Sequence, residues 1–142
     1  MPDFPVAFVD GSSTSLYKEV DSSDLLVVSF VSVGCAHCHD ELMALTGASR
    51  PKVLTARIKY LAVCGDPQEA VRQFFREHQS YPAIGCVEPS VLASLGIDLV
   101  PEIIVVDPDH HVVGSIRGFD DESTLAELQK LIATHLSSQG KP

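Results

Sequence analysis

The chain has 142 residues, 45% of them hydrophobic and 20% charged, which is one domain's worth of ordinary globular sequence and excludes a disordered polymer. Ten Lys and Arg against nineteen Asp and Glu leave a net charge of −9, a surface that repels phosphate backbones and excludes nucleic acid as an expected partner. The most apolar run, residues 25–33 (LLVVSFVSV), is about half the ~18–20 residues a helix needs to cross a bilayer.

Residues 6–9 form a short apolar run closed by the turn signal Asp10-Gly11. Residues 12–15 are predicted as polar loop, and 16–20 as a short turn or strand. Residues 25–32 are apolar almost throughout and rich in β-branched side chains, the pattern of a central strand covered on both faces. Gly34 ends that strand. From 35 to about 45 the period turns helical. Cys38, Leu42 and Leu45 recur at spacings of four and three, Asp40 and Glu41 lie early, where the dipole favours acids, and Gly47 is the stop. Residues 58–63 are a second buried-type strand.

Asp66-Pro67 predicts an N-cap and first helical position, opening a helix with Ala70, Val71, Phe74 and Phe75 on its apolar face. Residues 83–87 are a short strand, and 89–95 one or two helical turns ended by Gly96. Residues 102–106 form a third clear strand, 107–110 carry turn chemistry, and 112–116 return as a hairpin arm. A last helix covers 121–136, with Leu125, Leu128, Leu131, Ile132 and His135 on one side. Residues 137–142 are expected as a frayed tail. The order predicts one α/β domain over 1–136, with helices on both faces of a mainly parallel sheet that the late hairpin makes mixed. The start, MPDFP, has neither a basic segment nor an apolar h-region. The expectation is a cytoplasmic chain, or an extracytoplasmic one whose leader has been trimmed.

Four cysteines, Cys35, Cys38, Cys64 and Cys86, are too few for a disulfide scaffold at this size. Cys35-Ala36-His37-Cys38 is a Cys-x-x-Cys placed where a buried strand gives way to a helix, which raises redox, metal and haem chemistry. A sulfur at a helix N-terminus faces unpaired N–H groups and the positive end of the dipole, and both favour thiolate over thiol at Cys35. Cys38, one turn inward, is expected to keep its proton. Cys35 then attacks a disulfide and Cys38 resolves the mixed disulfide. His37, as a cation inside the motif, adds to thiolate stabilisation and makes the disulfide the stronger oxidant; its plainer alternative is a solvated side chain.

The pattern GCAHCHDEL after LLVVSFVS resembles the thioredoxin-fold superfamily, and more narrowly the TlpA-like redoxins, thiol-disulfide oxidoreductases related to peroxiredoxins. The resemblance runs from Val6 to about Leu136 and includes Cys35-x-x-Cys38-x-x-Glu41, Tyr60 to Asp66, Tyr81-Pro82-Ala83-Ile84, Leu99-Val100-Pro101 and the hairpin around Asp107. It implies a three-layer thioredoxin-like fold. It implies that Pro101 is the cis-proline packed against the Cys pair, and that Val100 offers backbone hydrogen bonds to a substrate chain, with Gly34 and Ala36 beside the groove. Glu41 is implied as an acid that assists proton transfer from the buried thiol; the alternative is a first-turn acid favoured by the dipole. The family's position for a buried Asp or Asn is taken by Ser29, so the resemblance implies a lost proton shuttle there. Gly34 stands where relatives have Trp, and Glu102 follows Pro101 where Thr is common, an acid that disfavours a nearby thiolate.

The implied activity is disulfide exchange with protein thiols and disulfides, with a redox partner to recycle the site, no organic cofactor and a monomeric chain. Three other readings use the same residues. Cys35-x-x-Cys38-His39 is formally a haem-attachment motif with His39 as ligand. Cys35, His37, Cys38 and His39, with His110 and His111, offer ligands for copper or zinc. A thiol peroxidase is the third, although Ser32-Val33-Gly34 replaces the Thr and Pro of peroxiredoxins. Cys64 and Cys86 are expected at the same edge as Cys35, either as a second disulfide or relay, or as buried thiols packing as small hydrophobes; the tight Cα limits on a disulfide favour the last.

Overall fold

The computed structural model describes residues 1–47, 50–78 and 82–138. Its elements in chain order are β1 (Pro5–Ala7), β2 (Ser13–Ser15), α1 (Leu16–Asp21), β3 (Leu25–Val31), α2 (Ala36–Thr46), β4 (Ile58–Cys64), α3 (Gln68–Glu77), β5 (Ile84–Cys86), α4 (Pro89–Leu95), β6 (Glu102–Val106), β7 (Val112–Arg117) and α5 (Asp121–Ser138). Two of these differ from the sequence expectation. The polar segment before residue 16 is a strand, because it pairs back on β1. The next segment is a helix: the Ser15 side chain accepts the Lys18 N–H, and Leu16 and Val20, four apart, are both fully buried. The expected tail is still helical at 137 and 138, and residues 139–142 lie outside the described residues, as does Tyr81.

The seven strands run in the order β2-β1-β5-β4-β3-β6-β7. The sheet is mixed, but not mainly parallel as expected. Only β3–β4 and β4–β5 are parallel, each joined through one crossover helix; β1–β2, β1–β5, β3–β6 and β6–β7 are antiparallel. The outer strands arrive by hairpins and long returns, which alternation along the chain does not reveal. No helix among the described residues is long and apolar enough to cross a membrane.

β3 is buried along its whole length, since both of its faces are covered. Leu26, Val28 and Phe30 face one layer, where α1 and α4 pack through Leu16, Val20 and Leu92. Leu25 and Val27 face the other, where α5 packs through Leu128, Ile132 and Leu136. Val31 continues that second face toward α2 and α3, against Cys38, Leu42, Val71 and Phe74. Three layers result, and the C-terminal end of β3 delivers the chain into α2.

The edge where β1 meets β5 depends on a missing side chain. A Cβ on Gly85 would lie 2.1 Å from Val6 Cγ1 and 3.2 Å from Phe8 Cε1. Val6 is fully buried and β-branched, so it has no alternative rotamer to retreat into. Gly85→Ala is expected to destabilise the protein by about 1–3 kcal/mol, the cost of overpacking a closed core. Urea unfolding of the two proteins checks this: an unchanged midpoint would mean that β1 moves aside freely.

Candidate active site

The site is built where β3 ends. After Val31 the loop Ser32-Val33-Gly34 turns the chain, and Cys35 becomes the N-cap of α2 with extended backbone (φ −102°, ψ 114°). Its Sγ accepts the Cys38 backbone N–H at 3.2 Å, so the sulfur does what an Asp or Ser oxygen does at most helix starts. The loop ahead of it is clasped from two sides. Asp66 Oδ2 accepts the Val33 N–H at 3.0 Å, and Asp66 Oδ1 accepts from Ser32 Oγ at 3.3 Å. His39 Nε2 meets the Val33 carbonyl at 2.9 Å, with its ring against Phe74. Asp66 is therefore not the N-cap of α3, as its position before Pro67 suggested. That cap is Pro67, with no side-chain hydrogen bond, because the Asp66 carboxylate is spent on the loop across the sheet. Sequence reasoning missed this role, and the Asp-Pro pair itself points away from it.

Cys35 is half-buried and Cys38 is fully buried. Burial pushes the Cys38 thiol far up, helped by the neighbouring Cys35 and, more weakly, by the charge of Glu41. Glu41 shares the inner face of α2 and is fully buried, not a solvated first-turn acid. Burial raises its carboxyl to about 7, a rise that the hydrogen bond from Ser29 Oγ to Oε1 partly offsets. Its Oε2 is buried without a hydrogen-bond partner. At Ser29 β3 presents a hydroxyl, and the Glu41 carboxyl reaches the same spot from α2.

The Val100–Pro101 peptide bond is cis. Val100 packs on the apolar cluster that also receives Cys35 and contains Cys38. Leu99, beside it, is 73% exposed. Glu102 follows in β6 and is buried, but it does not act as an uncompensated acid. Its Oε1 lies 3.2 Å from Arg117 Nε on the neighbouring β7, an ion pair in charge although not aligned as a hydrogen bond. Gly34, Ala36 and His37 are exposed around Cys35.

The Cys and His side chains of the motif do not converge as three metal ligands; among the described residues that arrangement occurs only at Asp107, Asp109 and His111, in the β6–β7 turn. There Asp107 Oδ1 already accepts the N–H groups of Asp109 and His111, which explains the grouping as turn chemistry. His110 is engaged elsewhere, stacked on Tyr17 and bonded to Asp21. All four cysteines are free thiols.

No protein-family model matches the sequence. No curated protein matches it significantly. Solved structures do resemble it. The thioredoxin domain of a thiol-disulfide oxidoreductase from Bacteroides vulgatus aligns with a TM-score of 0.63 at 22% identity, over 89% of this chain and 92% of that one. The exposed lipoprotein thioredoxin of Streptococcus pneumoniae gives 0.66 at 19% identity, over 93% and 99%. A thiol:disulfide interchange protein from Bacteroides sp. gives 0.65 at 21% identity, over 93% and 87%. With its seven-stranded mixed sheet, its covering helices and these likenesses over nearly the whole length, the chain has the thioredoxin-like fold.

Proposed function

We propose that the chain is a thiol-disulfide oxidoreductase of the TlpA-like type, acting on protein thiols and disulfides through Cys35 and Cys38. The observation that carries this is the division between the two sulfurs. One caps a helix within reach of solvent, and the other is sealed beneath it with a proton it holds tightly. In the forward step the Cys35 thiolate, at the start of α2 where its Sγ accepts the Cys38 N–H, attacks one sulfur of a substrate disulfide, and the other sulfur leaves as a thiolate. Cys38 then passes its proton toward the Glu41 carboxylate and attacks Cys35 Sγ, releasing the second substrate sulfur. Two electrons move to the substrate, and the protein carries the disulfide, so the reaction needs no organic cofactor. Glu41, at about 7, both takes and returns that proton near neutral pH.

A substrate chain fits along 99–101, where Val100 packs on the same cluster as the cysteines, the peptide before Pro101 is cis and Leu99 adds exposed apolar surface. Small exposed Gly34 and Ala36 leave the approach to Cys35 open, and His37 supplies charge at the rim when protonated. The test is direct: reduced protein is mixed with a peptide disulfide, and the release of peptide thiol and the loss of alkylatable Cys35 are followed together. Both occurring at one rate supports the reading; thiol release without change at Cys35 overturns it.

Asp66 acts here as a positioning residue. Asp66→Ala removes both bonds to the loop ahead of Cys35 and is expected to slow the attack step about tenfold, the equivalent of one ordinary hydrogen bond of about 1–1.5 kcal/mol. Asp66→Asn keeps an oxygen for the Val33 N–H and is expected to recover most of the rate. Equal losses in both variants would show that the carboxylate's charge, not its hold on the loop, matters.

A further inference from the structure

Cys64 closes β4 and Cys86 closes β5, and the two are direct partners in the parallel register. Adjacent strands lie about 4.8 Å apart, which falls inside the ~4.4–6.8 Å span between the Cα atoms of a disulfide. Both side chains enter the cluster of Val31, Val71 and Phe74 on one face of the sheet. The two thiols interact with one another, and burial pushes both of them up. The two differ in access. Both are buried, but Cys64 is fully enclosed, whereas Cys86 is 9% exposed and lines a surface cleft of about 380 Å³ with Asp66, Gln68 and Pro89.

We propose that Cys64 and Cys86 form a second redox-active dithiol, separate from Cys35 and Cys38, which closes to a cross-strand disulfide by exchange with a small-molecule disulfide entering at Cys86. The Cys86 thiolate attacks one sulfur of the incoming disulfide, forming a mixed disulfide and releasing the first small thiolate. Cys64 then gives up its proton and attacks Cys86 Sγ, releasing the second. The dithiol loses two electrons and two protons, and the small disulfide becomes two thiols. The order follows from burial: the Cys64 thiol, pushed up to about 12 by its surroundings, suits the resolving role, while Cys86 faces the cleft. Two thiols that merely filled space would need neither the shared register nor the opening at one of them.

The test uses the full chain carrying Cys35→Ser and Cys38→Ser, so that it is independent of the exchange proposed for that pair. The reduced variant is incubated with oxidised glutathione, quenched in acid, denatured, alkylated and mapped by peptide mass. Of the four cysteines, the two that remain are expected to fall from two alkylatable thiols to none, with the Cys64 and Cys86 peptides joined and dithiothreitol restoring both. Adding Cys64→Ala is expected to stop the reaction at a stable glutathione adduct on Cys86. Two thiols persisting at a glutathione disulfide level that closes Cys35–Cys38 in the unaltered protein would overturn the proposal, as would an adduct on Cys86 that an intact Cys64 never displaces. If the doubly substituted chain fails to fold, mapping the unaltered protein decides: a joined Cys64–Cys86 peptide supports the pair, and only Cys35–Cys38 peptides refute it.

Discussion

Cys35→Ser is expected to abolish disulfide exchange, and Cys38→Ser to leave the protein covalently held to its substrate. The two outcomes differ because the two sulfurs stand in different places. Cys35 is the sulfur within reach of an incoming disulfide, and a serine hydroxyl at the same helix cap is far too weakly acidic to supply the nucleophile. Cys38 is fully buried and cannot be reached directly, so it enters only after Cys35 has reacted. Removing it leaves the first step intact and the second impossible. Non-reducing electrophoresis of the Cys38→Ser protein after mixing with an oxidised protein substrate is expected to show a stable adduct that dithiothreitol releases. A Cys35→Ser protein that kept its exchange rate would refute the assignment of roles.

The second large effect is at Glu41, and it has two signs. A buried carboxyl raised to about 7 from the ordinary 4.5 binds its proton more tightly in the folded state than in the unfolded one. Its contribution to stability is fully present below pH 4.5 and is lost as the pH rises through 7. Above that the buried charge is a liability, on the order of 3–4 kcal/mol at about 1.4 kcal/mol per pH unit. Glu41→Gln removes it, so the variant is expected to unfold at a higher urea concentration than the unaltered protein at pH 8 and at nearly the same one at pH 4. The same substitution removes a buried carboxyl whose charge acts on Cys38, and the resolving step is expected to slow by about a hundredfold at pH 7, as for loss of a general base. A merely structural role for Glu41 would change stability and leave the pH profile of the resolving step unmoved.

Most of this was legible in the sequence, for reasons that particular residues make clear. The unbroken apolar run of β3 and the Cys38, Leu42, Leu45 spacing of α2 are long and strongly periodic, and they place Cys35 at a strand-to-helix junction before any coordinates are seen. The cis bond before Pro101 was expected only through the resemblance to the thioredoxin-fold superfamily, since a proline ahead of a strand has an ordinary explanation of its own. The signals for α1 were present but short: a Ser15 cap, and Leu16 and Val20 four apart. The burial of Glu41 was also within reach, since it lies three residues after Cys38 and so on the same inward face, but an acid early in a helix has an ordinary explanation that competes with this. Two features were out of reach. The antiparallel majority of the sheet depends on which distant strands pair, and the clasp from Asp66 to Val33 joins residues 33 apart in the chain.

The central claim is that Cys35 and Cys38 pass reversibly between dithiol and disulfide. It is tested most directly by equilibrating the protein in graded ratios of reduced to oxidised glutathione, trapping free thiols with acid and an alkylating reagent, and mapping the cysteine peptides. The account predicts a single two-electron transition in which the Cys35 and Cys38 peptides become joined and separate again on reduction. Cysteines 35 and 38 that stay alkylatable at every ratio, in folded protein, would contradict it.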